Sequence, residues 1–202
     1  MSAVQIQGNA GGTGTLTIAA PSTNTNRTLT LPDGTGTFTV AGVNSNIVAG
    51  TSVATTSGTS VDFTSIPSWV KRITVMFNGV SQSSATPYGI IQIGAGSVTT
   101  TGYICTQTTL VAASTVTTLA FTSGFAYLNL NANTDTVNGI AVLTTLGSNV
   151  WVASGTINNA TGLRGVIFSG NITLGGVLDR VRITTTDGTT TFDAGSINIL
   201  YE

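Results

Sequence analysis

The chain has no histidine, one cysteine (Cys105), one lysine (Lys71) and one glutamate (Glu202). General acid–base and nucleophilic catalysis draw first on those side chains, so an enzyme is not expected and no catalytic residue is assigned. Charge is scarce as well: 6% of the 202 residues are charged, against roughly a quarter in an ordinary soluble domain. Six Lys+Arg against seven Asp+Glu leave a formal net charge of −1. No basic stripe exists to neutralise a phosphate backbone, which excludes nucleic acid as a partner. A single cysteine makes no internal disulfide, and Cys105, in a strand-like stretch, reads as a small buried hydrophobe. Long apolar runs are missing too, although 41% of residues are hydrophobic and mean hydropathy is +0.36. The longest, such as Ile140-Ala141-Val142-Leu143, fall far short of the roughly 20 residues of a spanning helix, and no membrane insertion is expected. The start, Met-Ser-Ala-Val-Gln-Ile-Gln-Gly, has neither the basic nor the apolar region of a secretory leader.

Threonine takes the place of charge, at about one residue in five, with Ser, Asn and 25 Gly beside it. Threonine is β-branched and polar at once, which suits a pleated strand whose outward face must stay wet without ions. Helix formers are few and no 3.6-residue apolar period persists, so the fold class is all-β, with at most one short turn at 65–70.

Residues 1–45 form a distinct region. Thr13 to Ile18, Arg27 to Leu31 and Gly36 to Val40 alternate apolar and Thr residues, which places Leu16, Ile18, Leu29, Leu31, Phe38 and Val40 on one stripe. Pro21-Ser22 and Pro32-Asp33-Gly34 supply turn chemistry. The pattern describes a short β meander or β-prism-like element, too small to bury its own stripe, and copies of itself are the expected cover. Residues 46–59, small and uncharged, read as a linker or a first weak strand. From 60 to 202, strand-sized segments recur at 61–64, 72–80, 88–93, 98–105, 116–121, 126–130, 139–146, 151–157, 163–168, 178–185 and 196–201, separated by Asn, Gly and Asp clusters. That spacing predicts a jelly-roll-like β-sandwich.

Few residues invite chemistry. The Gly8 to Gly14 stretch lacks the Gly-Lys-Ser/Thr and the helix of a phosphate loop, and no cofactor is expected. The six aspartates are scattered at 33, 62, 135, 179, 187 and 193, with no spacing for a metal cage. Convergence of Asp62, Asp179 and Asp193 is what a glycosidase would require. In Arg180-Val181-Arg182-Ile183 the alternation turns both guanidiniums outward, either as a fork for an anion or a subunit contact, or into ion pairs with neighbouring aspartates. Trp69, Trp151, Tyr88 and Tyr103 are the aromatic candidates for sugar stacking. Both tryptophans sit where an aromatic plugs the end of a sandwich core, while Tyr88 and Tyr103 are placed for exposure; Tyr88, Tyr103 and Trp151 are carried as the surface or glycan contacts. Three Asn-X-Thr sites, at 26, 159 and 171, are expected by chance in so Asn- and Thr-rich a chain.

The stretch from Gly12 to Phe38, GTGTLTIAAPSTNTNRTLTLPDGTGTF, resembles a repeat of tail-fibre and related structural proteins of tailed bacteriophages. The stretch LDRVRITTTDGTTTFDAGSINILYE from Leu178, with Ile66-Pro-Ser-Trp-Val-Lys-Arg-Ile-Thr, looks like the β-rich domain that follows that repeat. The resemblance implies a structural protein on the exterior of a phage particle, a homotrimeric tail fibre or tail appendage that contacts the host surface, a glycan among the host molecules it would meet. Residues 1–45 would then serve attachment to other virion proteins and trimerisation. A capsid decoration or cement protein (a head fibre) and a free-standing carbohydrate-binding module are the alternatives. No site residue carries over, because the resemblance lies in strands and turns.

Overall fold

The structure is a computed structural model that describes Gly11 and residues 24–26, 47–112, 116–159 and 161–202. The chain divides into two compact units, 1–38 and 39–202. The stripe of Leu16, Ile18, Leu29, Leu31, Phe38 and Val40 lies outside the described residues, and the fold below is that of the second unit.

Fourteen strands and no helix are present among the described residues. They are β1 (Val48–Ala49), β2 (Val53–Ala54), β3 (Ser60–Thr64), β4 (Arg72–Gln82), β5 (Gly89–Ala95), β6 (Ser97–Val98), β7 (Ile104–Val111), β8 (Thr117–Phe121), β9 (Phe125–Leu128), β10 (Val137–Gly147), β11 (Val150–Asn159), β12 (Arg164–Thr173), β13 (Arg180–Thr185) and β14 (Phe192–Tyr201). The protein is all-β. One sheet of nine strands runs β1-β14-β4-β10-β11-β12-β7-β8, with β2 beside β1 on the same edge of β14. A second sheet of five runs β3-β13-β5-β6, with β9 also on β5. All the pairings are antiparallel.

The two sheets share one core, as in a β-sandwich. Ile73, Val75, Ala141, Leu143, Trp151 and Phe168 from the large sheet and Ile91, Ile93, Phe125, Val181 and Ile183 from the small one are buried in a single cluster. Phe77 of β4 stacks on Tyr127 of β9 with ring centroids 4.2 Å apart and planes 18° from parallel, a contact that ties the sheets by dispersion. β10, β11 and β12 are successive hairpins kept within one sheet, whereas a jelly roll divides its eight strands over two Greek keys.

Of the expected linker 46–59, the described residues 47–59 do more than link. Val48↔Tyr201 and Ile197↔Val53 are paired in register, and the Thr55 Oγ1 hydroxyl donates to Ala194 O at 2.7 Å, so this segment closes the β14 edge that would otherwise be open to pairing. The 65–70 segment is a turn, as expected. At the β4–β14 crossing Gly195 has φ +93°, and a Cβ there would stand 2.4 Å from Gly79 O. The register shifts between Phe192 and Ala194 and again between Ala194 and Ser196, at Gly195 itself, and only a residue without a side chain lets the backbones approach so closely.

Candidate functional site

Burial separates the aromatic candidates. Tyr103 precedes Cys105 by two and shares its inward direction; it is 1% exposed. Its phenolic oxygen accepts from the Ile93 N–H at 2.7 Å and lies within donating distance of Thr99 O (3.0 Å) and Ile93 O (3.2 Å). Its ring meets Phe125 edge-on at 5.0 Å. The expected exposure of Tyr103 is therefore corrected: the hydroxyl is an internal staple between β5 and the loop before β7, and burial pushes its pKa far up. Trp151 is buried on the inner face with Ala153 and Ile157, which removes it as a glycan contact and fits the core plug. Tyr88 is half-buried, its ring edge-on to Phe121 at 5.0 Å. Trp69 reverses the other expectation. It is 50% exposed and tilts against Tyr201 at 5.9 Å, because it lies in the turn that the Val70 N–H closes on Pro67 O at 3.1 Å, ahead of the strand that starts at Arg72. Cys105 is buried, and desolvation raises its thiol pKa.

Most of the scarce charges are used locally. Asp179 takes two hydrogen bonds from Arg180 at 2.7 and 3.0 Å. Asp62 takes two from Arg182 at 2.7 and 2.8 Å. Arg72 pairs with Glu202. Both strand arginines do point outward from the small sheet, yet each is already engaged in the bidentate geometry that would otherwise receive an anion. Asp62 and Asp179 are thereby tied to separate guanidiniums rather than set as a carboxylate pair across a shared substrate. Hydrogen bonding by Arg180 holds the Asp179 carboxyl low.

Two further aspartates organise loops. Asp187 accepts from Thr185 Oγ1 (2.6 Å), Thr190 Oγ1 (2.8 Å) and the Thr189 and Thr190 N–H groups (3.0 Å each). The Thr185 hydroxyl is the largest cause of a carboxyl held far below the usual range. Asp135 accepts from Asn131 N–H, Ala132 N–H and Asn159 Nδ2. Burial pushes its carboxyl up, but these donors and the charge of Arg164 together outweigh it and lower the pKa. Arg164 in turn donates to Asn129, Leu130 O and Asn131. This knot pins the β9–β10 loop onto the β11–β12 hairpin. Among the described residues no group of three or more His, Cys, Asp or Glu is placed to hold a metal.

Three surface features remain. The outer face of the small sheet bears an open groove of about 390 Å³ lined by Ser60, Gln92, Thr100, Arg182 and Thr184 among others. Trp69 and Tyr201 make an aromatic pair near the C-terminal end of the chain. The outer face of the large sheet carries Ile104, Leu110, Ile140 and Ile167, between 44% and 68% exposed. None of these four residues was expected from the sequence as a surface contact. The signal was present in Ile140-Ala141-Val142-Leu143, an unbroken apolar run of the kind a strand covered on both faces has. Compared with family models, with curated proteins and with solved structures, the chain matches none.

Proposed function

We propose that the chain is a structural protein of a bacteriophage virion, a homotrimeric tail fibre or tail appendage on the outside of the particle that contacts the host surface. One observation carries the structural part of this reading. Arg72, Arg180, Arg182, Asp62, Asp179 and Glu202 are spent on local ion pairs, and Asp135 and Asp187 on loop hydrogen bonds. Apart from exposed Lys71 and Asp193, what is left facing solvent among the described residues is mainly a Thr, Ser, Asn and aliphatic surface, which meets its own copies with little like-charge repulsion. Placement on a phage particle rests on the resemblance of residues 12–38 and 178–202 to tail-fibre proteins. Host contact is supported by the half-exposed Trp69, an amphipathic ring of the type that stacks on sugars. Immunogold electron microscopy of purified particles tests the reading. Label at the tail supports it; label confined to the icosahedral faces replaces it with a capsid decoration protein, and absence of label from particles overturns it.

A further inference from the structure

The outward rows of the large sheet can be followed strand by strand. Thr108, Ile167, Thr156, Ile140 and Met76 stand opposite one another across β7, β12, β11, β10 and β4. The next row on the same side is Thr106, Ser169, Ser154, Val142 and Thr74. Ile104 and Leu110 flank these rows on β7, and Leu110 packs over Gly165, whose added Cβ would lie 3.9 Å from it. Between Arg72, at the margin and paired with Glu202, and the far edge at β8, no outward position of these five strands is charged. At ~4.8 Å between strands and ~6.7 Å between successive outward residues, roughly twenty such positions span on the order of 700 Å², close to the ~800 Å² that each partner gives to a standard interface.

We infer that this face packs against the same face of other copies of this chain. Two features select that occupant. The face offers no charge with which a charged partner would pair, while the chain's own sheet supplies the matching uncharged Thr and aliphatic surface. It also carries both halves of a fit: exposed Ile140 and Ile167, and beside them a depression of about 400 Å³ lined by Val142, Val152, Ser154, Ser169 and Asn171 among others. An offset copy seats its isoleucines there. The apolar run 140–143 then has both faces covered, as its composition demands. The inference deepens the assembly reading above by naming the surface that assembles.

The test uses the full chain and the double variant I140D/I167D, followed by sedimentation equilibrium with circular dichroism as the control for folding. The wild type is expected to be multimeric, and the variant to keep its β spectrum while its dissociation constant rises about 100-fold or more, since the carboxylates would be desolvated without partners. In parallel, Thr156→Cys and Thr64→Cys chains, with Cys105 buried and silent, are treated with a short bismaleimide. Linkage between chains at 156 and not at 64, on the small sheet, supports the face even where the aspartates prevent folding. A monomeric wild type, a variant that assembles as the wild type does, or equal linkage at both positions overturns the inference. A chain that assembles through this face yet is absent from particles defeats only the virion reading.

Discussion

Removing one oxygen from Tyr103 separates an internal staple from a surface contact. In Tyr103→Phe the ring and its edge-on contact with Phe125 stay, so the buried apolar area is unchanged. What goes is the acceptor of the Ile93 N–H at 2.7 Å and a donor to Thr99 O or Ile93 O. Ile93 is 0% exposed and Tyr103 1%, so water does not replace the lost partner at the Ile93 N–H. An orphaned buried donor costs about 1–3 kcal/mol. For a domain of this size each kcal/mol lowers Tm by about 2–4 °C, so a midpoint loss of roughly 4–8 °C corresponds to a central value near ~2 kcal/mol. The assay is thermal and urea unfolding followed by circular dichroism, with Tyr88→Phe as the half-exposed control, expected within about 0.5 kcal/mol of wild type. A Tyr103→Phe midpoint equal to that of the control would refute the assignment of the hydroxyl as a fold-closing group.

Other perturbations test separate parts of the structure. Gly195→Ala places a methyl 2.4 Å from Gly79 O at φ +93° and is expected to cost about 2–3 kcal/mol or more in urea unfolding, through clash and backbone strain. In the β10–β11 hairpin Ser148 and Asn149 have φ +50° and +62°, the twist of a type I′ turn, so changing the pair to Asn-Gly is expected to add about 0.5–1 kcal/mol. Stability is expected to be flat between about pH 5 and 8, because no histidine titrates there. The folded-state pKa values of Asp135, Asp179 and Asp187 are depressed, so their contribution is full above about pH 4–5 and is lost as pH falls through the folded values; Cys105, raised when folded, contributes below about pH 8.5 and is lost above it. An acid midpoint unaffected by Asp187→Asn would contradict the assignment of its cage. Trp69→Ala is expected to cost about 1–3 kcal/mol in urea unfolding, less than loss of a core tryptophan, since half of the side chain faces water and the other half packs on Tyr201.

The strands were legible because alternation and turn residues are local properties. Of the segments expected between 60 and 202, those at 72–80, 139–146 and 151–157 sit within β4, β10 and β11. The segment 98–105 fails: β6 ends at Val98 and β7 begins at Ile104, and the intervening loop is held by the Tyr103 hydroxyl on Ile93 and Thr99, ten and four positions away, side-chain bonds that alternation does not display. Trp69 and Trp151 illustrate a second limit. Each lies near a strand end, and the difference between exposed and buried is made by a turn at 67–70 in one case and by strand parity beneath the small sheet in the other. The arginine pair was half legible, since outward direction follows from alternation, but the pairing of Arg182 with Asp62 joins residues 120 positions apart through the β3–β13 register. The outer face of the large sheet was hidden for the same reason: Ile104, Ile140 and Ile167 come onto one face only through the order β10-β11-β12-β7.

The mass of the full chain in solution, by sedimentation equilibrium at micromolar concentration, bears most directly on the claim that this is an assembly protein. The account requires three times the 20.4 kDa chain mass. A single chain mass at every concentration measured would contradict it.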